Sequence, residues 1–235
     1  MLTNASCPKK ENTLNTRSYP RKTNRKLKKI FSTSIFPPVH YFAHLASCQE
    51  AVIERYCNYS RQTYRNRYVI LGANGVLPLT VPVVKTSGKK TCTKDVEVDY
   101  DTPWNQVHWK SIEAAYNSSP YYIYYKDDIE PIFTKKWKYL LDMNQYALEV
   151  AMECTGVSAK ISFTKEWQRE YQHPDFRDSI HPKKNYSVDK SFRPEPYRQV
   201  FALNQPFIPN LSILDLLFNK GPESLIVLEK SIKAD

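Results

Sequence analysis

The hydrophobic period of this chain changes near residue 100, and that change limits the folds open to it. Before it, short runs alternate apolar and polar, as half-buried strands do. After it, apolar residues recur at helical spacing over longer stretches. Strands gathered in one half and helices in the other argue against a regular βαβ series. They predict an α+β, irregular mixed α/β fold: one domain with a strand-rich N-terminal half and a helix-rich C-terminal half.

Residues 30–36 read as a first strand, ended by Pro37-Pro38. A helix over 39–48 and a short strand over 51–54 follow. Residues 65–71 and 76–84 flank Asn74-Gly75, a hairpin signal because both residues tolerate positive φ. A further strand is expected over 94–99. Thr102-Pro103 is a plausible N-cap and first-turn pair for a helix carrying Trp104, His108, Ile112 and Ala115 on one face. Residues 121–133 read as helix. So do 135–155, where Gly156 sits at the position of a C-terminal glycine cap. A short strand is expected over 159–163. Residues 166–198 are polar and interrupted by proline, a long loop of the kind that carries function. Ser212 and Asp215 have capping-box spacing ahead of an apolar helix, and Gly221-Pro222 opens a last one.

Charge is unevenly placed. Of 34 Lys and Arg and 24 Asp and Glu, nine bases and one acid lie in residues 1–30. The remainder holds 25 bases against 23 acids. Residues 1–30, with few apolar anchors, are expected to be a disordered basic extension, and 31–235 the domain. A near-neutral body lacks the footprint of a duplex-binding protein, so no specific nucleic acid is expected. Five glycines cannot supply G-x-G-x-x-G or G-x-x-x-x-G-K-[ST], which excludes those phosphate loops. Five cysteines without C-x-x-C suit free thiols in a reducing, cytoplasmic setting. No apolar run reaches the ~18 residues of a membrane span, so no transmembrane segment is expected. The sequence leaves cofactor and oligomeric state unknown.

Several residues could carry chemistry. His108 lies on an apolar helix face near Trp104 and Trp109, and imidazole suits general acid/base work. Its alternative is a hydrogen-bonded core histidine. Residues 59–67 (YSRQTYRNR) bring Gln62, Arg65, Asn66 and Arg67 ahead of a strand. Arg65 and Arg67 would share one face of an extended segment, where paired guanidiniums suit phosphate or carboxylate. The alternative is a solvated, salt-bridged face. Asp99-Tyr100-Asp101 could hold a divalent ion, although an Asp-rich turn explains it as well. His173, Asp175, Arg177, Asp178 and His181 form only weak metal patterns, and no metal site is assigned.

The same stretches, in this order, resemble the WbqC-like protein family. The blocks are IFPPVHYFAHL (35–45), the strand at 52–54, QTYRNR (62–67), and Asn-Gly followed by LTVPV (79–83). Then come W-x-x-x-H (104–108) with SI-x-x-AY (111–116), PYRQVF (196–201), and FIPNLSILDLLFNKGP (207–222). The resemblance spans 31–235. Where the family often opens with Gln-Pro-Tyr, this chain has Ser32-Thr33-Ser34. The resemblance implies a bacterial protein associated with polysaccharide gene clusters. It also implies a transferase using an activated sugar or acyl donor, with His108, Asn66 and Arg67 lining the site. No cysteine falls in these blocks as a recurrent residue, so a Cys nucleophile is not expected.

The combined expectation is a transferase acting on a small-molecule or carrier-linked substrate. His108 would be its acid or base, and Arg65 and Arg67 would anchor an anionic donor group. Gln62, Asn66 or Gln199 would orient substrate, with Tyr116 and Tyr197 as hydroxyl donors. The rival is a non-catalytic module binding an anionic metabolite or glycan, for which the 17 tyrosines offer stacking surfaces. A third reading places nucleic acid or an acidic membrane surface on the basic head.

Overall fold

A computed structural model describes residues 28–84, 90–201 and 206–233. Two small sheets and a set of helices share one core, an α+β arrangement. Strands β1 (Lys28–Ser32), β2 (Glu50–Glu54) and β5 (Lys160–Phe163) form a parallel sheet in the order β1-β2-β5. Its register pairs Lys28 with Glu50 and Glu50 with Lys160. The helix α1 (Val39–Ala46) connects β1 to β2 as a βαβ unit, and among the described residues no regular series of such units follows. Every residue of α1 is buried. Strands β3 (Arg67–Gly72) and β4 (Gly75–Thr80) form an antiparallel hairpin, with Gly72 opposite Gly75. The positive φ, 109°, falls on Gly75 and not on Asn74, because Ala73-Asn74 form the two-residue turn and Gly75 receives the chain after it.

Helices follow: α2 (Trp104–Tyr116), α3 (Tyr122–Ile129), α4 (Pro131–Thr134) and α5 (Leu140–Thr155), then α6 (Ile213–Lys220) and α7 (Ser224–Lys230). The α5 helix ends as its sequence dictates. Gly156 takes φ 73°, and its N–H bonds back to the last turn. Four expectations need correction. Residues 94–99 make no strand. Thr93–Asp95 is a 3-10 turn, and the segment pairs only through the bridges Val83–Val98 and Glu97–Tyr139. The helix expected over 121–133 is divided at Pro131, whose ring cannot continue it. The one expected from 135 begins at Leu140, after Tyr139 in an extended conformation. Pro103, without a side-chain hydrogen bond, is the N-cap of α2 in place of Thr102.

The basic head expected over 1–30 lies outside the described residues except for Lys28, Lys29 and Ile30, which open β1. The long segment after β5 is irregular except for a 3-10 turn at Tyr186–Val188. It is nevertheless tied down. Phe176 N–H donates to the Ile30 carbonyl at 2.7 Å, and Ile30 N–H to Pro174 at 3.0 Å, so the loop edges the parallel sheet. Among the described residues no helix is long and apolar enough to cross a membrane. Cys57, Cys92 and Cys154 are free thiols.

Candidate functional site

Parallel strands in open α/β sheets present ligands at their carboxyl ends. Here those ends lead into Thr33 after β1, Glu54 on β2 and Thr164 after β5. Glu54 is fully buried and saturated. Its Oε1 accepts from Tyr56 N (2.6 Å) and Thr164 Oγ1 (3.1 Å). Its Oε2 accepts from Tyr171 OH (2.9 Å) and pairs with Arg177 at 3.4 Å. Arg177 also holds Asp175 at 2.6 Å, so Asp175, considered above as a metal ligand, is consumed by an ion pair. This knot fixes the long loop against the sheet.

Beside it, residues 59–67 cross the carboxyl end of β1. Ser34 Oγ donates to the Tyr64 carbonyl (2.9 Å), as does Ile35 N–H (3.1 Å). Asn144, from α5, donates to Thr33 Oγ1 (3.2 Å) and to the Arg65 carbonyl (2.7 Å). Asn66 donates to the Val81 carbonyl at 2.9 Å. The backbone is therefore well held, but several side chains are not satisfied. Arg65 is only 6% exposed, and its guanidinium finds Thr63 Oγ1 at 3.5 Å, a long contact, and Cys57 Sγ at 3.6 Å, a weak sulfur acceptor. Its Nε has no hydrogen-bond partner among the described residues. The same holds for Arg67 Nε, Asn66 Oδ1, Tyr59 OH and Asn144 Oδ1. These are five of the nine such buried atoms, gathered on one segment and the residue that braces it. Buried polar atoms without partners are costly, and their concentration here makes this segment the candidate site. No carboxylate pairs with Arg65 or Arg67 among the described residues.

The surroundings are cationic. Burial raises the Tyr59 hydroxyl to about 12, against the pull of Arg61 and Arg65, and Tyr64 to about 12, against Arg67. His181 is lowered by burial first, then by Lys184, Arg65 and Lys183. Its Nδ1 accepts from Lys183 N–H (3.0 Å), so the neutral ring carries its proton on Nε2. Tyr59 and Arg61 continue into a cleft of about 440 Å³ that Lys90, Thr91 and Glu97 also line.

The other expected residues fall elsewhere. Gln62 is exposed, at φ 56°. Arg65 sits in a turn closed by Asn66 N–H on the Thr63 carbonyl, and not on an extended face shared with Arg67. His108 is buried beside Trp104 and Phe133. Its Nδ1 lies 3.1 Å from Tyr68 OH. Burial lowers it to about 4. Tyr116, Tyr197 and Gln199 do converge, on Asp215. Tyr116 OH (3.0 Å) donates to one carboxylate oxygen, and Tyr197 OH (2.6 Å) and Gln199 Nε2 (2.9 Å) to the other. Asp215 is fully buried, and this closed network joins α2, α6 and the 196–201 segment. Its carboxylate is turned to these donors, while Ser212 alone caps α6 through Leu214 N–H. Asp99 accepts from Asp101 N–H (2.9 Å), an Asx turn.

The sequence reading passed over Thr33 and Asn144, whose roles appear only when α5 meets β1. It also passed over His40, His44 and Asp189, the one group of three His, Cys, Asp or Glu side chains, among the described residues, with ligand atoms all within 4.8 Å of one another. The i, i+4 histidines on a predicted helix were a visible signal; Asp189, in the long loop, had none.

Comparison with known proteins agrees with the motif order. The pattern of the WbqC-like protein family matches residues 33–177 and 184–227, which include the whole 59–67 segment, Asn144 and Asp215. "Uncharacterized protein Rv1507c" of Mycobacterium tuberculosis (strain ATCC 25618 / H37Rv) is 24% identical over 218 residues, covering 83% of this chain and 94% of that one. No solved structure matches. With the family pattern running through both sheets and the helical half, the chain belongs to the WbqC-like protein family.

Proposed function

We propose that this protein is a transferase that seats the anionic group of an activated sugar or acyl donor on Arg65 and Arg67, with Asn66 orienting a substrate hydroxyl or amide. The observation that carries the reading is the cluster of unpartnered buried polar atoms at Arg65, Asn66, Arg67, Tyr59 and Asn144, beside the carboxyl ends of a parallel sheet. A phosphate or carboxylate would satisfy the guanidinium donors, and a substrate hydroxyl or amide would satisfy the two Asn oxygens. His181, neutral with its proton on Nε2, would donate a hydrogen bond to the charge developing on the leaving group. His108, enclosed by aromatic rings, and Tyr116, bonded to Asp215, would shape the core behind the site. On the same reading, the acceptor belongs to surface polysaccharide biosynthesis and the protein is cytoplasmic.

The test is incubation of the full chain with UDP-glucose, dTDP-glucose and acetyl-CoA, followed by mass spectrometry. The reading expects one donor to be consumed by the wild type and at least about tenfold less by Arg65→Met, the loss of a hydrogen bond to a charged group. Saturable donor binding without turnover would replace the transferase with the binding-module reading. Turnover indifferent to Arg65→Met would remove the site.

A further inference from the structure

The geometry points to a zinc-class divalent metal site formed by His40 Nε2, His44 Nε2 and Asp189 Oδ2. It is independent of the anion site. Lys29, beside His44, and Thr33, beside Asn144, stand at opposite ends of β1, about 13 Å apart at ~3.3 Å per residue.

The i, i+4 spacing puts both imidazoles on one face of α1. They are 3% and 2% exposed. Both Nε2 atoms converge on the same Asp189 oxygen, at 2.8 Å for His40 and 2.6 Å for His44. The other Asp189 oxygen is held by Ser191 N–H (3.0 Å) and Ser191 Oγ (2.6 Å), which aims Oδ2 at the histidines. His40 N–H donates to Asn210 Oδ1 at 2.9 Å, fixing the start of the helix. Phe176 lies 4.0 Å from the His44 ring and Phe192 4.4 Å from the His40 ring. Two oriented imidazoles, one oriented carboxylate and aromatic walls form a three-ligand set with one position open, which suits a borderline cation and not magnesium or calcium. Coordination distances of ~2.0 Å would move the three ligand atoms roughly half an ångström apart.

Lys29 works against the metal. Its Nζ lies 3.2 Å from His44 Nδ1 and 2.8 Å from Ser47 Oγ. An ammonium there needs Nδ1 as acceptor, whereas a metal on Nε2 leaves the proton on Nδ1. Lys29 therefore lowers the affinity. Glutamine at that position, with an amide oxygen to accept from Nδ1–H, would raise it.

The experiment is zinc titration of the chelator-stripped full chain against a chromophoric chelator, with magnesium in excess. The expected result is one zinc per chain, at least about tenfold weaker binding in His44→Ala and Asp189→Ala, and tighter binding in Lys29→Gln. No stoichiometric uptake by the wild type would overturn the site, as would unchanged uptake in His40→Ala/His44→Ala or weaker binding in Lys29→Gln. Should the alanine variants fail to fold, cobalt(II) added to the wild type decides. Intense tetrahedral visible bands support the site, and a weak octahedral spectrum overturns it.

Discussion

At the scale of single residues, hydrogen bonding and not burial distinguishes one buried polar group from another. Asp215 and Arg65 are both nearly inaccessible, but Asp215 has three donors and the Arg65 guanidinium has only weak acceptors. Asp215→Ala is expected to leave the Tyr116 and Tyr197 hydroxyls without an acceptor and Gln199 Nε2 with the Ile208 carbonyl alone. Thermal or urea unfolding should show a loss of about 3 kcal/mol or more, at ~1–3 kcal/mol per stranded group. Arg65→Met is expected to be near neutral in the same measurement, because no strong native contact is removed. His108 supplies a pH signature. Its folded value, about 4, is below the ordinary 6.5, so folding favours its neutral form. Its contribution is complete above pH 6.5 and is lost as pH falls toward 4. Relative to His108→Gln, the wild type should lose up to about 3 kcal/mol between pH 7 and pH 4, at ~1.4 kcal/mol per pH unit of displacement. A difference independent of pH would contradict the buried neutral ring.

At the scale of elements, legibility followed how local the cause was. The α1 and α2 helices, the β3–β4 hairpin and the Gly156 cap could be read from spacing and turn chemistry, because periodicity and positive φ are local properties. Gly156→Ala should cost about 1 kcal/mol by unfolding, since alanine resists the left-handed conformation there. Residues 94–99 alternate like a strand but have no continuous partner, so they pair only at isolated bridges. The long loop reads in sequence as polar and functional, but its anchoring by Arg177 to Glu54 and Asp175 appears only in the fold. Arg177→Met leaves a buried Glu54 carboxylate without its cation. It should destabilise by ~3–5 kcal/mol, with limited proteolysis showing faster cleavage within residues 166–180. Unchanged cleavage would show that the loop is held by other means.

At the scale of the whole molecule, the sheet that organises the site is assembled from distant pieces. β1, β2 and β5 span residues 28 to 163, and α5 and the loop complete the surroundings. The arginine block was therefore visible in sequence as a candidate, while Thr33 and Asn144 became meaningful only after folding. The converse holds for His108, Tyr116, Tyr197 and Gln199. The first is enclosed by aromatic rings and the others close on Asp215, a distinction that composition and spacing do not contain. The central claim is that the cluster around Arg65 binds an anion. Its most direct test is isothermal titration of the full chain with inorganic pyrophosphate at low and moderate salt, comparing the wild type with Arg65→Met and Arg177→Lys. The account predicts saturable binding by the wild type, at least about tenfold weaker in Arg65→Met and little changed in Arg177→Lys. Equal binding by the wild type and Arg65→Met, or none by the wild type, would contradict it.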